Sequence, residues 1–221
     1  MLEKEYRVSE SRFISKTLLL MGIGLLITYG IGFSLTNMIQ YIRPMHMYMA
    51  MAAELGVVIY LRSRVRKLSP AKATMWFFIY SALNGVTFSL IFAMYSLKTL
   101  GIVFVISSVM FISSAMIGFT TKKNLGAMGQ FFLMVIIGLL LMSIVQIFIP
   151  LKGLNLTISV VGMLAFSGLT AYDIQKIKFF HSQSYNMDKN DVYRFIIISA
   201  LELYLDFINL FLYVLRLAND D

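Results

Sequence analysis

Three observations predict an all-α integral membrane protein with seven spanning helices. Of its 221 residues, 59% are hydrophobic and only 14% are charged, and the apolar residues fall into seven stretches of roughly bilayer-crossing length. A soluble domain carries about 45–50% apolar and roughly 25% charged residues. The excess apolar surface must face lipid, and the mean hydropathy of +0.79 agrees.

A spanning helix needs about 20 mostly apolar residues to cross roughly 30 Å of hydrocarbon. The predicted spans run from Thr17 to Ile42, Met45 to Leu61, Thr74 to Tyr95, Leu100 to Thr121, Met128 to Ile149, Leu156 to Ile177, and Val192 to Leu215. The second is the shortest. The implied organisation is a cytoplasmic N-terminal segment 1–16, a transmembrane domain 17–217 and a short tail 218–221. The first span is too long for the apolar core of a signal peptide and has no small-residue cleavage site after it, so it is expected to stay as a helix. Gly24, Thr28 and Gly32 in that span, and Ser81, Gly85 and Ser89 in the third, recur every four residues. Such small faces let membrane helices approach closely, and helix packing is their expected role.

The absence of cysteine excludes disulfides, thiolate metal sites and cysteine-based catalysis. The net charge of +8 reads as cytoplasmic loops beside anionic lipid and not as a nucleic-acid surface. The N-terminal segment, the second-to-third, fourth-to-fifth and sixth-to-seventh loops hold most of the Lys and Arg. Only Arg43, Lys98, Lys152 and Arg216 fall on the other side. The expectation is a multi-pass protein of the cell (inner) membrane, with the N-terminus cytoplasmic and the C-terminus outside. The longest loop, roughly Lys178 to Asp191, is expected to be cytoplasmic and polar.

Ionisable groups inside hydrocarbon are costly enough to mark function. Glu54, Asp173 and Asp206 stand out, with Glu202 one turn before the last. In the seventh span Ser199, Glu202, Asp206, Asn209, Tyr213 and Arg216 step by alternating threes and fours, which puts them on one helical face. Such a seam faces partner helices or water.

With helices entering at Leu156 and Val192, Asp173 and Asp206 would lie about 17 Å apart in depth. Extending the sixth helix to about Phe180 and letting the seventh enter lipid near Ile196 cuts this to about 5 Å. Two carboxyls brought together in low dielectric do not both ionise easily and titrate as a unit. They then form a proton sensor or a hard-cation site. Asp173, Asp206, Glu202 and Asn209 could offer Ca²⁺ the oxygen ligands it prefers. A nearby Arg could hold the ionised pair shut and release it on protonation.

Other classes fit less well. Paired aspartates on adjacent helices occur in intramembrane aspartyl proteases, but Leu203-Tyr204-Leu205-Asp206 lacks the Gly-x-Gly-Asp run of those enzymes. His46 and His181 are expected to be solvated. The Met-rich run Pro44 to Met51 could offer soft ligands to Cu(I), although plain bulk is the simpler role. No phosphate-binding glycine loop stands in a strand-to-helix context. No enzymatic activity and no bound cofactor are expected.

The runs LNGVTFSLIFAMY, GFTTKKNLGAMGQFF, GLTAYDIQKIK and ALELYLDFINLF, in that order from Leu83 to Phe211, resemble the transmembrane Bax inhibitor motif family in its bacterial form. The resemblance implies seven helices with the seventh central and wrapped by the other six. It implies a pH-sensitive Ca²⁺ leak channel in which Asp173 and Asp206 share a proton near the cytoplasmic side and bind Ca²⁺ at most transiently. Glu54 matches an acid on the second helix, and the family's second-helix Arg maps to Arg62, Arg64 or Arg66. Glu202 and Asn209 would support the pore. The expected partners are the bilayer, Ca²⁺ and protons. The alternative is a non-conducting regulator that docks a membrane protease or a stress or cell-death partner on the polar loop.

Overall fold

The computed structural model describes residues 9–41, 44–149, 153–183 and 187–219, and every regular element among them is helical. Seven α-helices follow in order: α1 (Glu10–Leu35), α2 (Pro44–Arg64), α3 (Pro70–Met94), α4 (Leu97–Thr120), α5 (Gly126–Phe148), α6 (Leu154–Gln183) and α7 (Lys189–Leu217). A 3-10 segment, Thr36–Tyr41, follows α1. Lys4, Arg7, Arg43 and Lys152, which entered the charge count, lie outside the described residues, as do 220 and 221 of the tail.

Local chemistry sets several helix ends. Ser9 and Ser69 precede α1 and α3, and each accepts a hydrogen bond from the N–H three residues on. Pro70 opens α3, where its missing N–H costs nothing. Asp188 accepts from the Asp191 N–H at 2.7 Å and caps the start of α7. That cap and the amphipathic run after Asp173 explain a difference from expectation. The predicted loop from Lys178 to Asp191 is mostly helix, and only residues 184–188 separate α6 from α7.

Among the described residues six helices are long and apolar enough to cross a membrane, and α2 falls short. It is the shortest of the seven and carries His46, Glu54, Arg62 and Arg64. The window of α7 is 67% buried, against 11 to 44% for the other five spans, although its sequence is not the most apolar.

The chain divides into two compact units. The first comprises 1–97 and Phe180–Tyr204. Here the two small-residue faces meet each other. A Cβ on Gly24 would stand 2.6 Å from the Phe77 ring, one on Gly32 2.6 Å from the Phe92 ring, and one on Gly85 2.9 Å from the Thr28 carbonyl oxygen. Thr28 donates to the Ser81 carbonyl at 2.9 Å, so its Oγ1 is left to accept from the Tyr204 hydroxyl at 2.6 Å. Tyr204 meets Phe77 and Tyr80 edge-on. The end of α6 contributes Phe180, whose ring lies 4.7 Å from Phe195, and His181. The expectation of a solvated His181 is wrong: the side chain is buried edge-on against Phe13. Helix α6 runs past the predicted end of its span, and α1 begins early enough to cover it.

The second unit comprises Lys98–Phe179 and Leu205–Asp221. Backbone meets backbone where a Cβ on Gly118 would stand 2.1 Å from the Ala171 carbonyl oxygen. Gly129 makes room for the Tyr172 ring, Gly168 for Phe132 and Gly162 for Tyr213. Phe104 and Phe111 of α4 both meet Phe207 of α7 edge-on.

These notches differ sharply from Gly138, around which a Cβ would meet nothing within 4 Å. Gly118→Leu is expected to force α4 off α6 and cost about 3 kcal/mol or more, since no flexible side chain can yield. Gly138→Ala should be neutral or stabilising by about 0.5–1 kcal/mol. Thermal unfolding in detergent, followed by size-exclusion chromatography, separates the two. Equal midpoints would contradict the packing described.

Candidate di-aspartyl site

Helix α6 presents three faces in the second unit, separable at about 100° per residue. With Ala171 as origin, Gln175 falls at about 40° and Gly168 at about 60°, with Tyr172 at about 100°. These residues meet α4, the α4–α5 connection and α5. Gly162, Phe166 and Asp173 fall at about 180°, 220° and 200°, on the opposite side. That side faces α7, because Tyr213 fills the notch at Gly162 and stacks on Phe166 at 5.7 Å.

The same contact sets the register. Asp173 lies seven residues after Phe166, and Asp206 lies seven before Tyr213 on a helix of opposite direction. Seven residues are two turns less about 20°, a rise of about 10.5 Å. From the stacked pair, both acids are therefore reached by the same step along facing sides. By this ideal-helix arithmetic they fall within about a turn of the same level. Each is buried, with 7% of Asp173 and 2% of Asp206 exposed.

Gln175 clamps the connection between α4 and α5. Its Oε1 accepts from the Leu125 N–H and its Nε2 donates to the Lys123 carbonyl, both at 2.8 Å. Lys178 adds a bond to the Phe119 carbonyl at 2.6 Å. The backbone around Asp173 is thus held on the side away from α7.

No residue of the polar seam on α7 is exposed. Ser199 and Asp206 are buried, and Glu202, Asn209, Tyr213 and Arg216 are half-buried. Asn209 donates to the Leu205 carbonyl at 2.7 Å. At the end of the seam Arg216 donates to Gln146 of α5 at 3.2 Å and to Asn155 of α6, and Gln146 donates to Asn155 at 2.7 Å. Among the described residues no three His, Asp or Glu side chains converge as a metal site, so Asp173, Asp206 and Glu202 do not form a three-carboxylate cage.

Glu54 belongs to the first unit. It is half-buried on α2 and accepts a 2.5 Å hydrogen bond from the Thr87 hydroxyl of α3. Arg62 and Arg64 are exposed in the last turn of α2, and Arg66 is exposed in the turn beyond it, with Leu61 and Val65 buried between them. His46 is exposed. Thr87, Gln175, Gln146 and Asn155 were not singled out from the sequence. Gln175 did carry a signal, one turn after Ala171 on the face away from Asp173, but its partners are about fifty residues distant.

A family model described as inhibitor of apoptosis-promoting Bax1 matches residues 10–220. The chain belongs to the Bax inhibitor family. Inner membrane protein YbhL of Escherichia coli K12 is 40% identical to it over 165 residues, covering 75% of this chain and 70% of YbhL. A protein of Borreliella burgdorferi is 35% identical, covering 97% of this chain and 94% of its own. A membrane protein of Streptococcus pyogenes serotype M1 is 34% identical, covering 95% and 93%. With six apolar helices of spanning length, this Bax inhibitor family member is a multi-pass membrane protein.

Replacing Gln175 by Leu removes both bonds to the α4–α5 connection and leaves the Leu125 N–H without its acceptor. The expected cost is about 1–3 kcal/mol, with faster amide exchange at Leu125. Hydrogen-exchange mass spectrometry on the peptide containing Leu125 reads this. Unchanged protection would show that the clamp does not hold the connection.

Proposed function

We propose that the protein is a pH-sensitive, Ca²⁺-permeable leak channel of the cell membrane in which Asp173 and Asp206 are the titrating pair. What supports this reading is that both carboxyls are buried, and that helix periodicity from the Phe166–Tyr213 stack puts them at similar levels on the sides of α6 and α7 that carry it. Carboxyls so placed share protons and titrate as a unit. Asp206 is flanked on its own face by Glu202 and Asn209, further oxygen donors of the kind Ca²⁺ prefers. Two carboxylates suit an ion that binds briefly and leaves better than one held as a cofactor.

On this reading the N-terminus is cytoplasmic and the C-terminus outside, and α7 is the central helix. The unusually buried window of α7 supports the second point.

The alternative is a non-conducting regulator that docks a membrane protease or a stress or cell-death partner on the polar stretch around the α6–α7 connection.

Purified protein in liposomes loaded with a Ca²⁺ indicator tests the proposal. Wild-type flux is expected to vary with pH by at most about tenfold per unit, as a one-proton switch allows. Asp173→Asn and Asp206→Asn should each flatten that profile. Flux and pH dependence unchanged in Asp206→Asn would refute the di-aspartyl mechanism. A silent wild-type liposome would refute the channel.

A further inference from the structure

Between α1 and α3 in the first unit runs a shallow, open groove of about 670 Å³. Ile27 of α1 lines it with Ala71, Thr74, Met75, Phe78 and Ala82 of α3. The α3 positions recur by threes and fours and form one stripe. From Ala71 to Ala82 the stripe rises about 16 Å, roughly half the hydrocarbon thickness. The groove therefore matches the acyl chain of one leaflet, and Thr74 is the only polar side chain along it.

At the Ala71 end the chain is strongly basic. Arg62, Arg64, Arg66, Lys67 and Lys72 fall within eleven residues, and all five are exposed. No acid occurs anywhere between Glu54 and Asp173 in the sequence. At this end of the unit Asp191 is engaged by Arg194 at 2.6 Å, and Arg194 itself is anchored on the Leu68 carbonyl at 2.8 Å. Among the described residues Arg66, Lys67 and Lys72 make no ion pair.

We propose that this groove and its basic mouth form a binding site for an anionic phospholipid, with one acyl chain along α3 and the phosphate among Arg66, Lys67 and Lys72. A zwitterionic lipid would fill the same groove but leave the cations uncompensated, so the site discriminates by headgroup charge. The proposal does not depend on channel activity.

A reporter can be placed in the groove. Trp76, the sole tryptophan, packs against Tyr60 of α2, about 160° round α3 from the groove residue Phe78. The double variant Trp76→Phe, Phe78→Trp moves the fluorophore onto the groove. This reporter protein is reconstituted into phosphatidylcholine vesicles containing increasing fractions of brominated phosphatidylglycerol or brominated phosphatidylcholine, and tryptophan quenching is followed. The expected result is half-maximal quenching by phosphatidylglycerol at a mole fraction about fivefold lower than by phosphatidylcholine. Adding Arg66→Gln, Lys67→Gln and Lys72→Gln should abolish that preference, and these exposed positions leave the packing intact. Adding Ala82→Phe, which fills the groove, should weaken quenching by both lipids. Equal quenching of the reporter protein by the two lipids, or a preference that survives the three Gln substitutions, would overturn the proposal.

Discussion

The second unit depends on one contact, the Tyr213 ring seated in the Gly162 notch and stacked on Phe166. In lipid, helices gain nothing from hiding apolar surface from each other, because the surroundings are equally apolar. Close packing and interhelical hydrogen bonds decide which register wins. An aromatic pair adds about 0.5–1.5 kcal/mol beyond burial, and a glycine notch lets the ring approach the backbone. Sliding α7 by one residue would turn this face by about 100° and lose ring, notch and the similar levels of Asp173 and Asp206 together.

Helix α6 can hold that register because its other two faces are fixed independently. Gly118 lets the backbone of α4 approach that of α6 at Ala171, where any Cβ would clash. Tyr172 is seated at Gly129, and Gln175 pins the connection between α4 and α5 by two hydrogen bonds. The residues from Ala171 to Gln175 therefore divide their labour by angle. Four of the five consecutive positions point at three different neighbours, and Asp173 takes the direction of α7. First-unit packing uses the same device: Gly24, Gly32 and Gly85 admit rings or backbone from the partner helix.

Much of this was legible because hydrocarbon imposes simple rules. Seven helices, the seam on α7 and the packing use of Gly24, Thr28, Gly32, Ser81, Gly85 and Ser89 follow from hydropathy and periodicity. Which stripe meets which does not, since small residues advertise a close approach but not a partner. The ends of α6 and α7 were set too short because hydropathy stops where the helix becomes amphipathic, and hydrogen bonding does not. Asp188 caps α7 and α6 runs to Gln183, which also buried a His181 expected in solvent. The polar character of α2 was visible in Glu54, Arg62 and Arg64, yet a short apolar run outweighed it. Thr87 as the partner of Glu54 had no local signal, being thirty-three residues away.

The distribution of polar partners along α7 bears on what its acids are for. An acid buried in a membrane helix often neutralises a cation of its own bundle. Here the cation on the seam, Arg216, is held instead by the neutral amides of Gln146 and Asn155. Asp206 lies ten residues away, a rise of about 15 Å and too far for an ion pair. Interhelical hydrogen bonding alone does not require a carboxyl either, since Thr28 and Tyr204 achieve it with hydroxyls. What a carboxyl offers beyond a hydroxyl or an amide is exchange of a proton or binding of a cation, at a solvation cost of several kcal/mol when ionised. On the proposed reading that cost is sustained at Asp173 and Asp206 because a carboxyl can exchange a proton and bind a passing cation.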